Sequence, residues 1–139
     1  MQERVKVVLD SNVLISFLLT SNETTSKIMD FWSEGILEVY YSEETFRELE
    51  IALDYPRLKA RINEDSAQAL LDKLKVLGFQ IQPENFLNGS RDPKDNKFIQ
   101  VAKAANARYI VTGDKDLLVL GRLGEIEIIL PRDFIAKLL

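Results

Sequence analysis

A chain of 139 residues, 46% hydrophobic and 29% charged, is long enough for one domain with its own core and short for two. It has no cysteine and no histidine, which excludes disulfides, thiolate chemistry, the serine–histidine–aspartate triad and zinc held by imidazole or sulfur. Without those two residue types any catalysis must rest on carboxylates, hydroxyls, amides, lysine, arginine or a bound metal, and with 22 acidic against 18 basic residues, a net charge of −4, carboxylates with a hard cation are the natural place to look.

Val5 to Leu9 is a β-rich run with no polar face at its end, the pattern of a buried strand, and it stops at Asp10. Asn12 to Leu19 reads as a helix with Asp10 or Ser11 near its start. Ser21 to Thr24 is a polar break. Thr25 to Ser33 is a second helix, carrying Ile28, Met29 and Trp32 and closed by Gly35. Leu37 to Tyr41 is the next strand. Ser42 then opens a helix with Phe46, Leu49 and Leu53 on one stripe, and Ser42 with Thr45 nearly forms a capping box. Tyr55-Pro56 ends it. Asn63 starts another helix with Ala67, Leu70, Leu71 and Leu74 inward, stopped by Gly78. Phe79 to Ile81 is a short strand, and Pro83 to Lys94 is the longest loop. Asp95 begins a helix with Phe98, Ile99, Ala102 and Ala105. Arg108 to Thr112 is a strand, Leu117 to Leu120 a helical turn, Ile126 to Leu130 a last strand and Pro131 to Leu139 a last helix. Strands alternate with helices, which predicts a single α/β domain over residues 1–139: three layers, α/β/α, around a mainly parallel sheet. No apolar run approaches the roughly 20 residues of a membrane span. Nor does Met1-Gln2-Glu3-Arg4 have a signal-peptide layout, so a cytoplasmic protein with no membrane partner is expected.

Ligands of open α/β sheets bind at the carboxyl ends of the strands. Asp10 follows the first strand; Asp114 and Asp116 follow Tyr109 to Val111; Asp92 and Asp95 precede that strand; Glu48 sits in the helix after the second. Taken singly, Asp10 and Asp95 read as helix caps, Glu48 as a surface residue and Asp114 to Asp116 as a turn. Gathered at one edge, these carboxylates repel unless a positive charge lies among them, and an all-oxygen donor set suits Mg²⁺ or Mn²⁺. Asp10, Asp95 and Asp114 are then expected to bring carboxyl oxygens within about 5 Å of one another. Setting the candidate acids aside leaves the bases in slight excess, so the net charge does not forbid a phosphate-rich substrate. Arg47, Arg57, Lys59, Arg61, Arg91, Lys94, Lys97 and Lys115 lie near the acids in sequence. Asp92, with Pro93 after it, is placed to cap the helix that contains Asp95, which leaves Asp95 turned to the metal.

In this order and these contexts the residues resemble a PIN-domain ribonuclease over nearly the whole chain. Val8 to Leu14 resembles that family's opening strand with its first metal-binding aspartate, and Phe46 to Leu49 the segment with the acidic helix residue. Asp92 to Phe98, followed by Ala102 and Ala105, resembles the third acidic block, and Tyr109 to Leu117 the fourth. The subgroup it is most similar to is the toxin component of prokaryotic toxin–antitoxin pairs. The resemblance implies a catalytic quartet of Asp10, Glu48, Asp95 and Asp114. Metal would be held by Asp10, Asp95, Asp114 and Asp116, with Asn12, Thr112 and Asp92 in support. Glu44 competes with Glu48 for the helix position, since i and i+4 share a face; Glu48 leaves the stripe of Phe46, Leu49 and Leu53 inward. Hydrolysis of RNA phosphodiesters with Mg²⁺ or Mn²⁺ is the implied reaction, on single-stranded or looped RNA whose bases can be splayed out. The implied partners are an antitoxin protein and a second copy of the chain.

Tyr40, Tyr41, Phe79 and Phe86 are candidates to stack on bases, with core packing as the competing role. Met29, Phe31 and Trp32, like Phe17 and Leu18, crowd one helix with more apolar side chains than a narrow stripe buries, so these helices are expected to form a homodimer surface. A haloacid-dehalogenase-type phosphatase would carry a second aspartate at position 12, where Asn12 stands. A phospho-receiver domain would carry a lysine after the last strand, where Pro131 stands. A catalytically silent PIN-like module that binds RNA or protein, and a housekeeping RNA-processing nuclease, are the other readings of the same residues.

Overall fold

A computed structural model describes residues 4–83 and 96–139. Strand β1 (Val5–Leu9) lies at the centre of the sheet because Val7, Val8 and Leu9 are all buried and can satisfy both faces. It pairs in parallel with β2 (Leu37–Tyr41) on one side and β4 (Tyr109–Val111) on the other. With β3 (Phe79–Gln80), β5 (Arg122–Leu123) and β6 (Ile126–Ile129), the sheet order is β3-β2-β1-β4-β6-β5, and the β5–β6 pair is antiparallel.

The strand period of two divides the core into two layers. Val7 and Leu9, with Val39, Tyr109 and Val111, face α1 (Ser11–Thr20), α2 (Glu23–Ser33), α3 (Glu43–Leu53), α5 (Glu64–Leu77) and α8 (Pro131–Leu138). Val8, Ile110 and Ile128 face α6 (Lys97–Ala105) and α7 (Lys115–Leu118) through Phe98, Ala102 and Leu117. This is the expected three-layer α/β/α arrangement. Lys73 of α5 ties its layer together: its ammonium donates to the Met29 carbonyl at 3.2 Å and the Ser33 hydroxyl at 2.6 Å and lies 4.7 Å from the Trp32 ring centroid. Burial there pushes the Lys73 pKa down.

Helix boundaries are set by the caps. Ser42 and Thr45 complete a full capping box at α3, both side chains buried. Gly35 has φ +80°, the left-handed turn needed where Ile36 re-enters the sheet, with the Ile36 N–H on the Phe31 carbonyl. Gly78 lets the end of α5 approach β2, since a Cβ there would meet the Leu74 carbonyl and the Tyr41 ring.

The structure corrects several sequence expectations. The break at 21–24 is shorter, because Asn22 caps α2 and the helix begins at Glu23. A short helix, α4 (Pro56–Lys59), follows Tyr55, where the sequence predicts only a helix end. The strand β5 has no counterpart among the predicted elements. Helix α6 begins at Lys97, two residues later than expected, because the Asn96 side chain accepts from the Phe98 N–H at 2.7 Å and is its N-cap. The capping role assigned to Asp92 therefore belongs to Asn96; Asp92 and Asp95 themselves lie outside the described residues. Met29 and Trp32 are 7% and 2% exposed, packed into the core, so they supply no dimer surface; Phe17, Leu18 and Phe31 are half-buried.

The cap assignment is measurable. Asn96→Ala should cost about 0.5–2 kcal/mol of unfolding free energy, whereas Asn96→Asp, which keeps the capping oxygen, should cost much less; paired denaturant titrations would show the difference.

Candidate active site

Three elements converge at the carboxyl ends of β1 and β4. The register that sets Leu9 beside Val111 brings the next residues, Asp10 and Thr112, together, and the Asp10 N–H donates to the Val111 carbonyl at 3.0 Å. Asp10 is 4% exposed. One carboxylate oxygen accepts the Asn12 N–H at 3.2 Å, which makes Asp10 the N-cap of α1; the other accepts the Thr112 hydroxyl at 2.6 Å. The Thr112 oxygen in turn accepts the Asp114 N–H at 2.9 Å, and an Asp114 carboxylate oxygen accepts the Asp116 N–H at 2.9 Å to cap α7. A fully buried hydroxyl thus joins the two aspartate positions.

Burial and charge act on Asp10 against its hydrogen bonds. Burial raises the Asp10 pKa; the bonds from Thr112 and Asn12 lower it, and the negative charges of Glu48 and Asp114 raise it again. Among the described residues no cation is paired with Asp10. Of the two acids weighed on α3, Glu48 is the one whose charge bears on Asp10. The Glu48 carboxylate is ion-paired with the Lys97 ammonium in the first turn of α6, each side chain about one-third exposed. Asn12 contributes its backbone N–H and is otherwise exposed, as is Asp116.

The structure therefore brings Asp10, Thr112 and Asp114 together, with Glu48 near enough to act on Asp10. Among the described residues no three carboxylates are grouped tightly enough to hold a metal ion, and Asp95, which the expected cluster needs, lies outside them. The donors that are described are all oxygens, the chemistry a hard divalent cation takes, and the Asp10 carboxyl is raised in pKa chiefly by burial and further by the charges of Glu48 and Asp114, which a cation would offset.

Glu48 and Lys97 also line one wall of a cleft of about 830 Å³ between α3 and the start of α6. Arg47, Ile51, Tyr55 and Gln82 line it as well. In the sequence Lys97 is only one of many scattered bases, although its place directly after a capping Asn96 fixes it at a helix start beside the acids. Tyr55 reads there only as a helix terminator. Of the aromatics proposed for stacking, Tyr41 is buried against Phe46, Tyr40 stacks on Phe79 at 5.2 Å, and Phe86 lies outside the described residues.

The chain belongs to the PIN-domain family, whose model matches residues 6–116. PIN domains are generally nucleases and typically use divalent metal ions. An uncharacterized protein of Methanocaldococcus jannaschii is 36% identical over 118 residues, covering 84% of this chain and 76% of that one. The crystal structure of VapBC2 from Rickettsia felis, bound to a DNA fragment from their promoter, superposes with a TM-score of 0.58 at 13% identity. It covers 89% of this chain and 97% of that one, a likeness of fold. No helix among the described residues is long and apolar enough to cross a membrane.

The geometry generates two measurable outcomes. Because the folded-state pKa of Asp10 is raised, its ionisation is disfavoured by folding. The metal-free protein should lose stability relative to Asp10→Asn as pH rises from about 3.8, the unfolded value, through the raised folded value. Thermal melts of both proteins across that window, with and without Mn²⁺, test this: the gap should open with pH and narrow when the cation is added. Thr112→Val keeps the shape and removes the bridge. It should lower metal affinity about 10–100-fold, the usual effect of losing a residue that orients a ligand, as read by metal titration of the melting temperature.

Proposed function

We propose that this PIN-domain protein is a metal-dependent endoribonuclease contained in a single domain, the toxin of a toxin–antitoxin pair. The observation that carries the reading is the buried Asp10, bridged through Thr112 to Asp114 and under the charge of Glu48, at the carboxyl edge of the sheet. Asp10 and Asp114, with Asp95 and Asp116, would hold Mg²⁺ or Mn²⁺, and Glu48 completes the acidic quartet; Asn12 and Thr112 support Asp10, and Asp92 is a secondary candidate. When bound, the cation lowers the pKa of a water and offsets charge on the leaving oxygen.

The chain's own part is orientation. The capping N–H of Asn12 and the Thr112 hydroxyl hold Asp10 in one pose, so its remaining lone pairs are aimed before any ligand arrives. RNA that is single-stranded or looped fits a site with an open cleft beside it. The toxin assignment is supported by the shared fold with VapBC2, and an antitoxin is its corresponding partner. A homodimer through α1 and α2 would use Phe17, Leu18 and Phe31.

The test is cleavage of a panel of single-stranded and hairpin RNAs. We expect cleavage in Mn²⁺ or Mg²⁺, none in EDTA, and a loss in Asp10→Asn exceeding the roughly 100-fold typical of residues that only orient a ligand. Cleavage that persists in EDTA, or in Asp10→Asn, would overturn the reading; binding without cleavage would identify a silent RNA-binding module.

A further inference from the structure

Tyr55 is 60% exposed, although an aromatic ring of its size gains most by packing. Its backbone is pinned on both sides. The Tyr55 N–H donates to the Ala52 carbonyl at 3.2 Å, its own carbonyl accepts from Leu58 at 3.0 Å and Lys59 at 2.9 Å, and Pro56 comes next at the first position of α4. The ring is thus presented from a fixed main chain onto the wall of the cleft. Ile51, 50% exposed, lies one helical turn away on the same wall. At the other end stands the Glu48–Lys97 pair, where Glu48 acts on Asp10. One cleft therefore joins an exposed apolar platform to an ammonium and to the edge of the acidic site.

We propose that this cleft seats the unpaired nucleotide next to the cleaved phosphate of a single-stranded RNA, with its base stacked on Tyr55 and its phosphate beside Lys97. The proposal rests on the nuclease reading and adds to it the residues that grip the strand. Charge sets the mode of binding. Among the described lining residues Arg47 and Lys97 are met by Glu43, Glu44 and Glu48, so these two cations neutralise few phosphates and the base supplies much of the affinity. At about 0.7 counterions released per phosphate on a single strand, the two cations among the described residues of the cleft contribute about −1.4 to the salt slope of binding. Stacking one base on an aromatic side chain is worth roughly 5–150-fold in affinity.

The experiment uses the full chain, with a fluorescein-labelled eight-nucleotide RNA and a set in which each nucleotide in turn is abasic. Binding is read by anisotropy in the Asp10→Asn background and cleavage by kcat and KM otherwise. We expect Tyr55→Ala to weaken binding about 10-fold and raise KM similarly, with kcat within twofold and the melting temperature unchanged, and Tyr55→Phe to restore both. One abasic position should cost the Tyr55 protein about 10-fold and the Tyr55→Ala protein nothing further. Lys97→Met should flatten the salt slope. Cleavage by the unaltered chain with Tyr55→Ala binding normally, or an abasic penalty undiminished in Tyr55→Ala, overturns the inference and leaves the nuclease reading standing. Tyr55-dependent binding without cleavage overturns the nuclease reading, and with it the placement next to a cleaved phosphate, but leaves Tyr55 as the base platform; no binding of any RNA overturns both.

Discussion

Parallel pairing of β1 with β4 is the constraint on which the site depends. Leu9 lies beside Val111, so the chain leaves the sheet at Asp10 and Thr112 side by side, on the edge where the last backbone groups must pair with a neighbouring strand end or a helix start. Those groups find partners close by: the Asp10 N–H on the Val111 carbonyl, the Thr112 N–H on the Ile129 carbonyl, and N–H groups in the first turns of α1 and α7 on the two aspartates. A slip of one residue in this pairing would turn Val8 and Ile110 to the wrong layer and carry Asp10 away from Thr112. The core and the site are therefore set by the same register.

That arrangement buries a carboxylate, which is costly unless it is bonded or balanced. Thr112 and Asn12 provide bonds, but Glu48 and Asp114 add charge of the same sign, and burial together with those charges outweighs the bonds. Lys97 is paired with Glu48, at the edge of the cleft, and not with Asp10. The negative charge is thus relieved at the rim and left uncompensated in the buried centre, among the described residues. A fold selected for stability alone would place an uncharged cap such as asparagine at position 10, which keeps a bond to the helix N–H without burying a charge. Retaining the acid makes sense when a cation or a phosphate-bound cation completes the site.

Much of this was legible in the sequence because it is local. An apolar run ending in an acid marks β1 and Asp10; serine, asparagine and threonine at helix starts mark α3 and α5; alternating elements imply the layers. What stayed hidden depends on competition or on distance. In the sequence Asp92, next to a proline, reads as the cap, and only the observed bond to the Phe98 N–H identifies Asn96 as the cap of α6. Met29 and Trp32 are too many for one narrow stripe, yet α2 is packed between the sheet and α8 and is flanked by α5 through Lys73, so more than one of its faces is inside. The strand β5 is two residues long and exists through its hairpin with β6. Tyr55 carries no signal of its own, since its exposure is set by where α3 ends and α4 begins.

The structural and catalytic readings of the two aspartates need not be rivals. Asp10 caps α1 and Asp114 caps α7, and in each case the bond from the helix N–H takes one lone pair of a group that has about four. The helix start fixes the carboxylate and favours its negative charge; the strand register fixes where that charge stands. An aspartate is the residue that does both at once, since asparagine caps as well but brings no charge, and glutamate carries the charge but reaches past the N–H groups of its own first turn. Placing the acids at helix starts lets the chain hold them rigidly with its own backbone, so the site needs few dedicated side chains, and Thr112, buried between them, is the one that links the two.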